Sequence, residues 1–370
     1  MPGSSLVLPA VASVLDDAVD REKIPGCVAR VWRAGRVIHA SEHGVLATHP
    51  GSPLHRQSVA PDTIYDLASL TKVLCTTTLF AQAIARGRVS LDATLPKELA
   101  IGDYRPTLID LLEHASGLAA HYEFYHEPWS LGPNQRRALL ETVRAAAPLT
   151  APRKAMIYSD LGFLLLGAWL EKLHGERIDR VFERDVVQPF GLTGEIGFRP
   201  LDRPSPADRV APTEVYDATL HGGKPQHWYA IRSRLGQSVA HGIVHDDNCV
   251  IMGGVAGHAG LFATADAVLA LAVAWLEGEI PGRERFAVPS DVPGSTRRLG
   301  FDGPAPDGSG STGGVLSQAA FGHLGYTGTS VWIDPERESV YVLLANRVHP
   351  LRGNDAITDV RIAFHRAAVR

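Results

Sequence analysis

Cysteine is scarce: three residues (Cys27, Cys75, Cys249) in a chain of 370, with no Cys-x-x-Cys, leave neither a disulfide framework nor a thiolate zinc site to expect. Long apolar runs are missing as well, and nothing approaches the roughly 18 residues that a membrane-spanning helix needs. There is no basic excess. The 36 Lys and Arg against 40 Asp and Glu give a net charge of -4, which argues against a nucleic-acid surface. Met1 to Asp20 has no basic start followed by an apolar block, so no secretory signal is predicted and a cytoplasmic location is expected. No Gly-x-Ser-x-Gly elbow occurs, and the middle of the chain lacks alternating strands and helices, which speaks against an α/β-hydrolase. Sixteen histidines include the close pairs His121/His126 and His241/His245. Yet neither His-Glu-x-x-His nor His-x-His-x-Asp is present, and these segments offer no common helical face, so a metallohydrolase is disfavoured.

What remains is an ordinary globular composition, 45% hydrophobic and 21% charged, long enough for one or two domains. Leu6 to Ile24 alternates apolar and charged residues at helical spacing and predicts a helix. Cys27–Trp32 and Arg36–Glu42 read as two strands around the turn Arg33-Ala34-Gly35. Ser69 opens a helix whose buried stripe is Val73, Thr77, Phe80 and Ile84, and Gly87 stops it. Pro106–His114, Asn134–Ala146, Leu161–His174 and Thr264–Glu277 follow as helices. Arg199–Val244 dissolves into proline, histidine and polar residues, which predicts a long irregular excursion. Ile280–Gly314, rich in Pro, Gly and Ser, predicts a linker or mobile loop. Ser330–Ile333 and Ser339–Leu344 form a hairpin around Asp334-Pro335-Glu336-Arg337, and Asn354–Val369 closes the chain as a helix. Strands thus sit at both ends, with helices and no strands between them. One sheet built from the two ends would leave a helical lobe beside it, and ligand sites often form in such a crevice.

Ser69-Leu70-Thr71-Lys72 is the only serine three residues before a lysine. Residues three apart share a helical face, so hydroxyl and amine meet without help from distant parts of the fold. A serine must lose its proton to an adjacent base during attack, and a lysine can take it where burial or a nearby cation lowers its pKa. On spacing alone, an N-capping serine and a surface lysine are the plainer explanation. Two further clusters stand out: Tyr158-Ser159-Asp160, ahead of an apolar helix, and His323-Leu324-Gly325-Tyr326-Thr327-Gly328. Alone, the first is also a core tyrosine and the second an ordinary strand with glycine.

In their order and placement the three clusters resemble the penicillin-recognising serine hydrolases, whose signature is Ser-x-x-Lys, Tyr-x-Asn or a variant, and Lys-Thr-Gly or His-x-Gly. That superfamily holds class C β-lactamases, D,D-peptidases and related esterases. Tyr65-Asp66-Leu67-Ala68, Leu111–Leu118, Gly253–Leu261 and Gly328–Pro335 are similar to the family as well. The resemblance implies an α+β, β-lactamase/transpeptidase-like fold. Its antiparallel sheet domain would comprise residues 1–65 and 251–370, its mostly helical domain 66–250, with the active-site cleft between them. It further implies Ser69 as nucleophile, Lys72 and Tyr158 as a coupled base system, and the backbone N–H groups of Ser69 and Tyr326 as oxyanion donors. Tyr158 is expected to be the nearer base and Lys72 to orient and tune it, the pair titrating as a unit. Asp160, His323 and Gly325 fall at substrate-binding positions. No cofactor or metal is implied.

Two residues depart from the commoner family pattern. His323 replaces a lysine that anchors a substrate carboxylate, and a histidine mostly neutral at pH 7 is the weaker anchor. Asp160 stands where asparagine is common, so an ionised carboxylate that only accepts replaces an amide that donates. Asp160 is therefore also a candidate partner for Lys72. His258 with Asp246 is expected to tie down the glycine-rich run, with lining the cleft as the alternative. The expected function is acyl-enzyme hydrolysis of a small-molecule ester, with β-lactam or D-amino-acid peptide turnover as the alternative. A non-catalytic module that binds cell-wall fragments is a further alternative.

Overall fold

Alternation along the strands decides the architecture. The computed structural model describes residues 7–126, 134–224, 226 and 228–370. Its strands are β1 (Gly26–Arg33), β2 (Arg36–Gly44), β3 (Tyr65–Asp66), β4 (Ile196–Phe198), β5 (Leu261–Ala263), β6 (Phe321–Leu324), β7 (Ser330–Asp334) and β8 (Ser339–Ala345). The main sheet runs β2-β1-β8-β7-β6, with antiparallel neighbours throughout. Successive side chains of a strand point to opposite faces. In β8, Val340, Val342 and Leu344 enter one core while Tyr341, Leu343 and Ala345 enter a second on the other face. Both faces are covered, which is why β8 reads as one unbroken apolar run. Each such aliphatic side chain stabilises the fold by about 1.5–3 kcal/mol when fully buried.

Helices α1 (Pro9–Asp20) and, from the far end of the chain, the C-terminal helix Ile357–Val369 close the smaller core with Val11, Leu15, Val360 and Phe364. The larger core holds α2 (Thr78–Ala85), α3 (Asp160–His174) and α4 (Ala265–Glu277), so the C-terminal helix is α5. This is the α+β arrangement of antiparallel sheet and flanking helices that the resemblance implies. Among the described residues no helix is long and apolar enough to cross a membrane.

Three expectations need correction. The middle of the chain is not free of strands, because β3, β5 and β4 form a second, three-stranded sheet. Strands of two or three residues are too short to display alternation. The helix after Ser69 is not regular: Lys72–Thr77 forms a wide π turn before α2. Nor is Ile280–Gly314 a linker. Phe286, Leu299 and Phe301 are buried, and Asp302 exchanges both backbone hydrogen bonds with Gly322 at 2.7 and 2.9 Å, extending the sheet beyond β6. The irregular excursion predicted from Arg199 holds in the main, interrupted by short helical turns at Ala218–His221 and Tyr229–Arg234. Its residues 225 and 227, like the predicted helix start at Leu6, lie outside the described residues.

Candidate active site

Ser69 stands where the chain leaves β3 and turns into the helix. The residue before it, Ala68, has φ 46°, a left-handed conformation that non-glycine residues adopt only when their surroundings impose it. Here Asp66 imposes it by accepting a hydrogen bond from the Ala68 N–H at 2.9 Å. The other carboxylate oxygen accepts from the His245 N–H at 2.6 Å. One helical turn on, the fully buried Lys72 donates to Ser69 Oγ at 2.8 Å, pairs with Asp160 Oδ1 at 2.8 Å and reaches His258 O at 3.4 Å.

Burial alone would lower the Lys72 pKa, but Asp160 and Tyr158 outweigh it and hold the ammonium above its ordinary value. A lysine with a lowered pKa, the condition for Lys72 itself to accept the serine proton, is therefore not what the fold builds. Asp160 shows the complementary response. Burial pushes its carboxyl up, yet Lys72, with a hydrogen bond from His121 and the nearby His258, brings it well below the usual carboxylate range. Asp160 is the first residue of α3, where a negative charge also suits the helix dipole. Of its two candidate roles, the pairing with Lys72 is the one the structure displays, while part of the carboxylate still faces the cleft.

Tyr158 lies beside this pair, its ring centroid 4.9 Å from Lys72 Nζ. His114 positions it from below. Its Nδ1 accepts from the Ser159 N–H at 2.9 Å, and its ring is 4.6 Å from that of Tyr158. The Arg297 guanidinium lies 4.8 Å from the Tyr158 centroid. Two cations thus lie close to the phenol ring.

The β6–β7 turn brings in the third cluster. Thr327 Oγ1 donates to Asp66 O at 2.6 Å and Thr329 Oγ1 to Leu67 O at 3.1 Å, latching the turn to the segment that leads into Ser69. Gly325 is the close approach: a Cβ there would lie 2.5 Å from Leu67 O. Among the described residues, neither the Ser69 nor the Tyr326 backbone N–H has a hydrogen-bond partner, which leaves both available to an oxyanion. His323 donates from Nδ1 to Leu324 O at 2.8 Å, and its Nε2 is buried and unpartnered. Burial, then Arg297 and Lys72, push its pKa well below the ordinary value, so His323 is a neutral ring in the cleft wall.

Ser69, Tyr158, Asp160, His323, Gly325 and Tyr326 all line one cleft of about 560 Å³, with Lys72 buried behind Ser69. Among the lining residues missed from sequence are His121 and Arg297. His121, 3.4 Å from Asp160 Oδ2, was noticed only as a member of a histidine pair. Arg297 fell in the segment read as a linker, and no local pattern marks it. His258 does tie down the glycine-rich run, with Nε2 3.0 Å from Asp246 Oδ1.

Comparison with known proteins bears on the chain as a whole. The family model described as Beta-lactamase matches residues 11–364. A protein of Escherichia coli O157:H7 named "Putative D-alanyl-D-alanine carboxypeptidase" is 28% identical over 350 residues, covering 88% of this chain and 79% of its own. Among solved structures, "EstCE1, a hydrolase with promiscuous acyltransferase activity" aligns with a TM-score of 0.70 at 20% identity, covering 96% of this chain and 98% of its own. Unliganded simvastatin synthase (LovD) from Aspergillus terreus aligns with a TM-score of 0.71 at 18% identity, with 98% of each chain covered. At these identities the structural likeness is one of fold.

Proposed function

The chain belongs to the Beta-lactamase family, and on that premise we propose that it is a serine acyl-hydrolase that works through a covalent acyl-enzyme on a small ester. The observation that carries this reading is the Lys72 ammonium, 2.8 Å from both Ser69 Oγ and Asp160 and beside the Tyr158 ring. With Lys72 charged, the Ser69 proton passes to the Tyr158 oxygen as Oγ attacks the carbonyl. Lys72 and Arg297, 4.9 and 4.8 Å from the ring centroid, favour negative charge on the oxygen that accepts it. The carbonyl oxygen, now negative, takes hydrogen bonds from the Ser69 and Tyr326 N–H groups. One such donor is worth about 3–4 kcal/mol in a transition state. Tyr158 then returns the proton to the leaving group, and water reverses the sequence to release the acyl group. The neutral His323 favours an uncharged ester over a substrate that needs a cation at that position.

A fluorophosphonate probe tests the reading. Labelling of the wild type that disappears in Ser69→Ala supports it, and an unlabelled wild type rejects it. A panel of p-nitrophenyl esters, nitrocefin and D-Ala-D-Ala peptides then ranks the substrates.

Arg297 favours a second reading, D-amino-acid carboxypeptidase activity. It is a permanent cation in the cleft whose own carboxylate partner, Asp302, is a loose 3.7 Å away, which leaves it able to hold a free substrate carboxylate. The name of the Escherichia coli relative points the same way. Faster turnover of D-Ala-D-Ala peptides than of esters would move this reading to first place.

A further inference from the structure

Helix α5 carries a buried cation whose partners are carbonyls. Arg361 is 6% exposed, and its Nη2 donates to Gly325 O at 2.9 Å and Thr329 O at 2.7 Å. Its Nε is buried without a partner. Burial, then the neighbouring Arg347, push its pKa down to about 9, and no carboxylate offsets them. A charge buried on these terms is costly, so its position calls for a reason.

That reason lies in which carbonyl it holds. The Gly325 C=O and the Tyr326 N–H are the two ends of one peptide group. The same turn is held from its other side by Arg347, whose Nε donates to Tyr326 O at 2.7 Å. We propose that Arg361 is a positioning residue for the oxyanion hole, its guanidinium both fixing and polarising the Gly325–Tyr326 peptide so that the Tyr326 N–H donates more strongly to the developing oxyanion. The proposal rests on the acyl-enzyme reading above. The chain runs from guanidinium to carbonyl, through the peptide by amide resonance, and from N–H to oxyanion; the same carbonyl also accepts from the Gly328 N–H at 3.1 Å. Hydrogen bonds linked in this way strengthen one another by about 10–30% per bond. Loss of a whole oxyanion donor slows catalysis by about 10²–10³, and 10–30% of that effect in free energy is roughly 2- to 8-fold.

The variants are Arg361→Met, which keeps the bulk of the chain, and Arg361→Lys, which keeps the charge. With p-nitrophenyl acetate the burst-phase acylation constant should fall roughly 2- to 8-fold in Arg361→Met, with the apparent dissociation constant of the ester unchanged. A packing role could also slow acylation, so the deciding readout is spectroscopic. Isotope-edited infrared of the acyl-enzyme, formed from ¹³C-carbonyl ester, should show the ester carbonyl stretch at higher wavenumber in Arg361→Met, with Arg361→Lys in between. An unmoved band in both variants overturns the proposal while leaving the acyl-enzyme intact. So does a loss confined to the binding of a carboxylate-bearing ester, which would make Arg361 a substrate anchor. If Arg361→Met does not fold, the band of Arg361→Lys decides alone. Absence of any acetyl adduct on Ser69 in the wild type, read by mass spectrometry, would reject the acyl-enzyme reading and this proposal with it.

Discussion

Lys72 and Asp160 form a contact ion pair in the wall of the cleft, 2.8 Å apart, with the lysine fully buried and the carboxylate largely so. Each holds the other charged. Asp160 is depressed in the folded state, so its contribution to stability is present above about pH 3.9, the unfolded value, and is lost as pH falls through the folded one. Lys72 is raised, so its contribution is complete below about pH 10.4 and is lost as pH rises through the folded value. Asp160→Asn should therefore destabilise the protein at neutral pH, by up to about 3–5 kcal/mol, the usual cost of stranding one member of a buried pair. Without the carboxylate, burial should drive Lys72 to shed its proton, so the deficit should shrink between pH 6 and pH 9. Urea unfolding at the two pH values checks this, and equal deficits would contradict the pairing.

Tyr158→Phe removes the proton carrier and leaves the ring with its neighbours His114 and Arg297. A general acid–base group contributes about 10²–10⁴ in rate, and the loss in kcat/KM on a p-nitrophenyl ester should fall in that range. Lys72→Ala should lose a similar factor, since it removes the charge that stabilises the phenolate. Wild-type rates in Tyr158→Phe would assign the base to another residue.

What could be read from the sequence, and what could not, follows from how locally each residue is specified. Ser69 and Lys72 are three apart on one helical face, so their contact is nearly fixed by spacing. Helix α3 was legible from its apolar run, and β7 and β8 from their β-rich composition around a turn. The short strands β3 and β4 were not, because each is set by pairing with β5, roughly 200 residues away for β3 and about 65 for β4. Arg297 was invisible for the same reason. It reaches Tyr158 only because Asp302, five residues on, pairs with Gly322 at the edge of the sheet. The protonation state of Lys72 was likewise beyond the motif, since it depends on Asp160, 88 residues distant in the chain.

Arg297→Gln separates the two substrate readings. If Arg297 holds a substrate carboxylate, a charged hydrogen bond of about 1.5–3 kcal/mol is lost, and KM for a D-Ala-D-Ala peptide should rise by roughly 10- to 100-fold. A neutral ester lacks that contact, so its KM should hold while kcat falls modestly through the lost cation beside Tyr158. Steady-state kinetics on both substrates reads the difference. Equal KM effects on both would remove the case for a carboxylate subsite at Arg297.

One glycine of the glycine-rich run, Gly257, is required by a crossing. Gly257 passes so close to α3 that a Cβ would lie 2.2 Å from Phe163 O and 2.9 Å from the Gly167 backbone. Its carbonyl accepts from Thr76 Oγ1 at 2.6 Å, and the next carbonyl, that of His258, receives Lys72. Gly257→Ala must therefore push apart α3 and the π turn that holds Lys72. Overpacking typically costs about 1–3 kcal/mol, and backbone atoms on the far side leave no flexible side chain to yield, so the upper end is expected. Activity should fall with it, because Lys72 loses its carbonyl contact. Gly197→Ala is the control: its Cβ would meet nothing within 4 Å, and its stability should stay within about 0.5 kcal/mol of wild type. Urea unfolding of the two variants, with ester turnover measured alongside, tests the claim. A Gly257→Ala protein as stable and active as Gly197→Ala would mean that the crossing relaxes and that the glycine is not what seats Lys72.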